Sequence, residues 1–598
     1  MYSEKFLPPN ACNLLTIVFI LVVMTPAKLL LLLCFHGISL FCMAQPIARY
    51  EVVIDEIMAD PTPQVGLPNA EFIELKNVSG RDLNLAGCRL STSSATSGAF
   101  PNYVLPADDF LIITSTGNAT LFSSFGRVLG IPSFPSLAND GTLLSLTSKE
   151  GLTIHAVNYS SSWYQNAVKQ EGGWTLEMID TKNPCGGLSN WKASTDPGGG
   201  TPGKKNAVDG ANPDQTPPQL QRTYSIDSVT LVAVFDEPLD SASASVVTNY
   251  SLTHGIRLVS VVAQAPLFNQ VVLRLSTPLE KRTVYTLTAN HVKDCQGNAI
   301  AAYNQARAGL TEEALDTDIV INEILFNPRP NAFDYVELYN KSNKVLDGSR
   351  LYIANRNAAG AISSAKKLSE SPYWIFPGEH IVVTEDAASL MKEYLVQTPS
   401  NTLALSSLPS YPDDKGTVVI TNSQGEVVDE VRYSSKWHFA LISNAEGVAL
   451  ERIDPAGTSQ DAGNWHSAAF TAGFGTPTYQ NSQHKLAEAG NAVIDIRPKI
   501  FSPDNDGYDD MLTIQYQMEE AGYMANITIF NAGGKAVRYF VKNQTLGLKG
   551  SWNWDGLDEK TQKLPAGTYI IYTEVFNLQG KKQQFKKAVV LARRLSEP

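Results

Sequence analysis

Cysteine and histidine are scarce in this chain, six and eight among 598 residues. Cys12, Cys34 and Cys42 fall in the first 44 positions, which leaves Cys88, Cys185 and Cys295. Their spacing does not make a metal knuckle. The seven histidines beyond that point (His155, His254, His291, His380, His438, His466 and His484) form neither a His-x-His nor a His-Glu-x-x-His pattern. A Gly-x-Ser-x-Gly elbow is missing, and Gly198-Gly199-Gly200 lacks the Lys-Ser/Thr and the helix that a phosphate loop needs. Beyond residue 44 no segment stays apolar for about 18 residues, which excludes a helical membrane span there. Basic residues are the minority, 47 against 59 acidic, for a net charge of −12. That balance disfavours nucleic acid and anionic membrane as partners.

What is present begins with an apolar N-terminus. Leu29 to Cys42 is a dense apolar run between Lys28 and Met43-Ala44-Gln45, the pattern of a secretory signal peptide cleaved after Ala44. A second run, Leu14 to Met24, lies upstream. One long span or a helical pair is the competing reading, and Pro26 and Lys28 between the runs oppose a single span. Translation from Met24 makes Met24 to Ala44 a complete signal. A lipid anchor at Cys42 is the rival, and Phe41 stands where a small residue is expected. Residues 1–44 carry a net +1 (Lys5 and Lys28 against Glu4), so the mature chain carries −13 against −12 for the whole. Three remaining cysteines allow one bridge and one free thiol. Cys88 and Cys185 lie in one proposed module and can pair, and small buried residues account for them equally well.

A chain of this length implies roughly four modules, and two of them are copies. Val53-Ile54-Asp55-Glu56-Ile57 recurs as Val320-Ile321-Asn322-Glu323-Ile324, and Glu71-Phe72-Ile73-Glu74-Leu75-Lys76-Asn77 as Asp334-Tyr335-Val336-Glu337-Leu338-Tyr339-Asn340. Leu85-Ala86-Gly87 matches Leu346-Asp347-Gly348, and Leu176-Glu177-Met178 matches Leu450-Glu451-Arg452. Asn190-Trp191 pairs with Asn464-Trp465, and Gly200-Thr201-Pro202 with Gly475-Thr476-Pro477. The marks keep their order and interval, as a duplication does. Short β-branched and aromatic runs punctuated by Gly, Asn and Pro predict strands in sandwiches.

These motifs resemble the lamin-tail domain, an Ig-like β-sandwich common in exported proteins of the Bacteroidetes type. The resemblance covers 46–207 and 316–482. A Pro-rich linker, 208–218, precedes a different module at 219–313. Its Phe235-Asp236-Glu237-Pro238-Leu239 and Asp294-Cys295-Gln296-Gly297-Asn298 resemble the SbsA-type bacterial Ig-like domain. The last module, 492–598, carries Phe501-Ser502-Pro503-Asp504-Asn505-Asp506-Gly507, Trp552-Asn553-Trp554-Asp555-Gly556 and Leu564-Pro565-Ala566-Gly567. It resembles the FlgD-type Ig-like fold and the gliding-motility-associated C-terminal domain, which implies a type IX secretion or attachment signal. The expected fold is all-β: four tandem Ig-like β-sandwich modules behind an N-terminal signal segment.

Chemistry-bearing clusters are few. Asp504, Asp506 and Asp510, with the Tyr508 carbonyl, can offer hard oxygen ligands to a structural Ca²⁺ around Gly507. An acidic surface turn uses the same residue types, and both readings stand. The repeated acids Asp55, Glu56, Glu71 and Glu74, with Glu323 and Glu337, invite a hydrolase reading. Asp55 becomes Asn322 in the second copy, so a shared two-carboxylate chemistry is not kept. Carboxylates accepting backbone or lysine hydrogen bonds are the expected role. Trp552 and Trp554 alternate onto one strand face and are expected in a core. The expectation is a non-catalytic, exported surface or extracellular scaffold or adhesion protein that binds a partner protein or polysaccharide through sandwich loops. It needs no cofactor beyond that calcium, and the secretion machinery is met through the C-terminal domain. The alternative is an accessory module of, or a cryptic, secreted hydrolase, as in nuclease-associated lamin-tail proteins.

Overall fold

The computed structural model describes residues 46–485, 492–504 and 508–593. The expected signal peptide and the Cys42 anchor lie outside them. The described residues form two compact units, one of 46–215 with 265–267 and the other of 216–264 with the described residues from 268 to 593. Both are all-β. No helix among the described residues is long and apolar enough to cross a membrane.

The first unit is built on a six-stranded sheet. Its strands are β1 (Val52–Met58), β2 (Phe72–Asn77), β3 (Phe110–Ser115), β4 (Val128–Ile131), β5 (Leu176–Met178) and β6 (Trp191–Ala193), in the spatial order β6-β5-β1-β2-β3-β4. All neighbours are antiparallel except β4, which pairs parallel to β3 at the edge. A three-stranded sheet of Arg89–Ser91, Gly141–Thr147 and Thr153–Ser160 encloses the core from the other side. Every residue of β1 is buried, because both faces of the central sheet are covered. One face meets the core of Ile54, Ile73, Leu75, Leu144 and Ile154. The other carries Met58, Phe72, Ile112 and Phe122.

Cys88 is part of that core and is a free thiol, whereas Cys185 and Cys295 are each in a disulfide. Of the two readings of Cys88, the bridge to Cys185 is therefore not formed and the small buried residue holds. Cys88 is 1% exposed, and burial pushes its thiol up to about 11, so it stays protonated and apolar in character.

The second unit repeats this sheet. Its strands are β7 (Ile319–Leu325), β8 (Tyr335–Asn340), β9 (His380–Thr384), β10 (Thr402–Ala404), β11 (Leu450–Arg452) and β12 (Trp465–Ser467), in the order β10-β9-β8-β7-β11-β12. The edge strand β10 again pairs parallel to its neighbour. Before it, strands between Leu220 and Ala308 form a four-stranded and a three-stranded sheet around Leu231, Leu273 and Leu287. Trp374 and Phe376 close the joint between these two sandwiches against Tyr224, and the Trp374 indole N–H donates to Gly309 O at 3.0 Å.

The last sandwich holds β13 (Leu512–Gln517), β14 (Tyr523–Asn531), β15 (Ala536–Thr545), β16 (Lys549–Trp554), β17 (Gly567–Asn577) and β18 (Lys582–Leu591). Strands β13 and β16 belong to a three-stranded sheet, and β14, β15, β17 and β18 to a five-stranded one. Trp552 and Trp554 both face its core, as their alternate spacing requires.

Candidate functional site

The repeated acids converge, in each lamin-tail-like sandwich, on one row across the central sheet. Glu56 lies opposite Glu74 on β2 and opposite Glu177 on β5. Glu323 lies opposite Glu337 on β8 and opposite Glu451 on β11. All six are fully buried. Like charges directly opposite on a sheet repel, and buried carboxylates need donors. A covering strap supplies them.

The strap reads Gly200-Thr201-Pro202-Gly203-Lys204-Lys205-Asn206 in the first copy and Gly475-Thr476-Pro477-Thr478-Tyr479-Gln480-Asn481 in the second. Thr201 N–H donates to Glu56 Oε1 at 2.7 Å and its hydroxyl to Glu177 Oε1 at 2.8 Å. Thr476 N–H donates to Glu323 Oε1 at 3.0 Å and its hydroxyl to Glu451 Oε1 at 3.0 Å. Two residues later, Gly203 N–H donates to Glu74, and Thr478 N–H to Glu337 Oε2 at 2.6 Å. The asparagine closes the clamp. Asn206 Nδ2 donates to Asp55 O at 3.0 Å and Met178 O at 2.9 Å, and Asn481 Nδ2 to Asn322 O at 3.0 Å and Arg452 O at 2.9 Å. Glycine opens the strap because the approach is close: a Cβ on Gly200 would sit 2.6 Å from Glu56 Oε1, and one on Gly475 2.5 Å from the Tyr335 hydroxyl.

A β-bulge between Ile54 and Glu56, and between Ile321 and Glu323, lets consecutive residues of β1 and β7 serve this clamp. It leaves the Ile54 and Ile321 amides outside the ladder, and the copies satisfy them differently. Ile54 N–H donates to His155 Nδ1 at 2.9 Å, so the imidazole carries its proton on Nε2 and donates to Pro184 O at 2.9 Å. Burial pushes His155 down to about 4. Ile321 N–H donates to Asp429 Oδ2 at 2.8 Å, and the fully buried Arg452 pairs with that oxygen at 3.0 Å.

The bulged residue differs too. Asn322 Nδ2 donates to Glu337 Oε1 at 2.8 Å, and His380 Nδ1 lies 3.0 Å from the same oxygen. Asp55 supplies no such donor. In the first copy Asp55 Oδ1, Glu56 Oε2 and Glu74 Oε1 are buried with no hydrogen-bond partner. Burial, reinforced by Glu177, pushes Asp55 up to about 7, against the pull of Lys76. Burial and Glu177 together push Glu56 up to about 8. Glu74 is raised by burial and by Glu56. In the second copy Glu323 is raised by burial and its two neighbours, and Glu451 by burial to about 7. A buried, strapped carboxyl has no open face toward a substrate.

Glu56, Glu74, Glu323 and Glu337 thus accept backbone amides, as expected, but no lysine. Glu71 stands apart from the row and accepts from the Leu137 amide at 3.2 Å. Glu177, Glu451, Asn206 and Asn481 were not singled out from the sequence. The signal was available in both copies as Asn four residues after Gly-Thr-Pro. In the C-terminal sandwich, Asp510 Oδ1 accepts the Asp504 N–H at 3.1 Å, and Ser502 Oγ donates to Asp504 Oδ2 at 3.2 Å. Tyr508 is exposed. Asp506 lies outside the described residues. The second lamin-tail-like sandwich also bears an open polar groove of about 800 Å³, lined in part by Asp316, Lys341, Glu430, Arg432, Thr458 and Gln460.

Comparison with known proteins matches the Lamin Tail Domain family at residues 45–161 and 313–435, and the CHU_C Type IX secretion signal domain at 495–591. Both lamin-tail matches stop before β5, β11 and the straps. No curated protein matches the chain. Among solved structures, the N-terminal part of the bacterial S-layer protein SbsC is 20% identical over 28% of this chain and 40% of its own, at a TM-score of 0.15. FlgD from P. aeruginosa is 17% identical over 17% of this chain and 75% of its own, at 0.13. A tetra-tandem repeat from the extending region of a large adhesion protein is 11% identical over 90% and 98%, at 0.12. Scores of this size carry no inference about function. Family matches and fold agree that this is an exported, cell-surface, all-β protein with two lamin tail domains and a C-terminal type IX secretion signal domain.

Proposed function

We propose that the chain is a non-catalytic surface scaffold that binds a partner through its sandwich loops. One observation carries this reading. The acids repeated in both lamin tail domains are consumed as buried receivers for a backbone strap, so the residues that invite a hydrolase reading serve the fold. The groove in the second lamin tail domain suits a polar partner. Its charged groups are already braced, Glu430 by Arg356 at 2.5 Å and by Arg432 at 3.1 Å, and Lys341 by Pro455 O at 3.1 Å. Preorganised polar groups of both signs and no aromatic platform favour a polysaccharide or protein surface rich in hydroxyls and charges. The C-terminal domain serves secretion or attachment.

The test pairs a turnover assay with a binding assay on the purified mature chain. Polysaccharide and nucleic-acid substrates should show no hydrolysis, and a glycan array or surface extract should yield a ligand whose affinity falls about tenfold in Arg432→Ala. Hydrolysis abolished by Glu56→Gln or Glu323→Gln would refute the scaffold reading.

A further inference from the structure

The strap of the second lamin tail domain does more than close its own sheet. Just past Asn481, the Ser482 hydroxyl and the Gln483 N–H both donate to Glu451 Oε2 at 2.8 Å. Ser482 Oγ also accepts the Ala469 N–H at 2.9 Å. These two residues are thereby fixed on a buried carboxylate, and their remaining groups are turned toward the C-terminal domain. Ser482 O accepts the Leu548 N–H at 2.9 Å. The amide of Gln483, itself fully buried, donates to Leu546 O at 3.1 Å and to Ser467 O at 2.9 Å. Leu546 and Leu548 belong to the turn between β15 and β16.

Two further contacts flank this seam. Thr471 Oγ1 and the Tyr516 hydroxyl share a hydrogen bond of 2.6 Å, and the same hydroxyl accepts the Gly547 N–H at 3.3 Å. The Phe439 and His466 rings pack at a tilt of 39°, with centroids 5.0 Å apart, beside Gly522. The approach is tight: a Cβ on Gly547 would lie 2.7 Å from Ser482 O and 3.3 Å from the Ala469 Cβ. Leu546, Leu548, Tyr516, Phe439 and Ala469 are all buried. Backbone groups paired across a dry seam, on a platform fixed from behind, are the makings of a specific interface.

We propose that the face formed by Thr471, Ser482 and Gln483 is a docking interface that holds the C-terminal domain in place without the covalent connection. A chain cut between the two domains then keeps its C-terminal domain. The inference concerns the folded chain alone and is independent of export or ligand, so its failure leaves the scaffold reading untouched.

A site-specific protease sequence placed between Lys485 and Ala492 of the mature chain provides the test. After native cutting, size-exclusion chromatography with mass detection at about 10 μM, a concentration at which a micromolar interface remains largely occupied, should show both fragments in one species. Gly547→Val, which drives a side chain into Ser482, and Gln483→Ala with Tyr516→Phe should each raise release at least about tenfold. Thr471→Val removes only a hydroxyl at the seam and should raise release in the same direction where the larger changes disturb folding. Two separate species at that concentration overturn the proposal. So does a joint species whose retention none of these variants changes.

Discussion

Replacing Asp55 with asparagine should stabilise the first lamin tail domain at neutral pH and leave it unchanged in acid. Asp55 is 2% exposed, one of its oxygens has no partner, and burial lifts its pKa from the ordinary 3.8 to about 7. A carboxyl raised on folding costs nothing below about pH 3.8, where the folded and unfolded chains are both protonated. Between there and about 7 the unfolded chain ionises first, and stability falls by about 1.4 kcal/mol per pH unit. Above about 7 the loss levels off near 4 kcal/mol as an upper bound. Asparagine removes that loss and adds a donor. The second copy already has this arrangement, with Asn322 Nδ2 2.8 Å from Glu337. We expect Asp55→Asn to gain about 2–4 kcal/mol at pH 7.5 and almost nothing at pH 4. Denaturant-dependent hydrogen exchange of the β1 and β2 peptides, in the full chain with variant and wild type at matched pH, reads this directly. An equal effect at both pH values, or a loss at pH 7.5, would refute the reasoning.

Two further expectations rest on the clamp of the second copy, and a third on the C-terminal domain. Asn481→Ala strands two buried carbonyls, Asn322 O and Arg452 O, and should cost the second lamin tail domain about 2–4 kcal/mol by urea unfolding. Arg452→Met installs the residue found at Met178 but leaves Asp429 buried without its counter-charge, a loss of about 3–5 kcal/mol. Adding Asp429→His should recover most of it by rebuilding the His155 arrangement, and a double-mutant cycle measures the recovery. For the proposed structural calcium at Asp504, Asp506, Tyr508 and Asp510, millimolar Ca²⁺ should raise the melting temperature of the full chain and Asp510→Asn should abolish the rise; isothermal titration without heat would discard the site.

Much of the architecture was legible because it rests on local patterns. Alternating strands gave the all-β class, and the paired marks gave the duplication. Asn77 and Asn340 close each motif for a local reason: their side chains cap the following turn, Asn77 Nδ2 donating to Arg81 O and Asn340 Nδ2 to Lys344 O. The glutamate row was not legible, since Glu56, Glu74 and Glu177 meet only through a register that a bulge resets. The strap was hidden for another reason. Its Gly-Thr-Pro marked the duplication, and only the partners across the sheet reveal its role. For Cys88 the sequence left a bridge and a small buried residue equally open, and its neighbours make it a core residue.

The clamp also decides how such a module bears tension. In each lamin tail domain the chain arrives on the central strand and departs along the strap that lies over it. The departing asparagine grips the backbone of both the arriving strand and its neighbour, Asp55 O with Met178 O in one copy and Asn322 O with Arg452 O in the other. A pull between the module's two ends therefore loads this short bridge of buried hydrogen bonds. On a cell surface exposed to drag, the sheets that carry the loops can stay folded until the strap lets go.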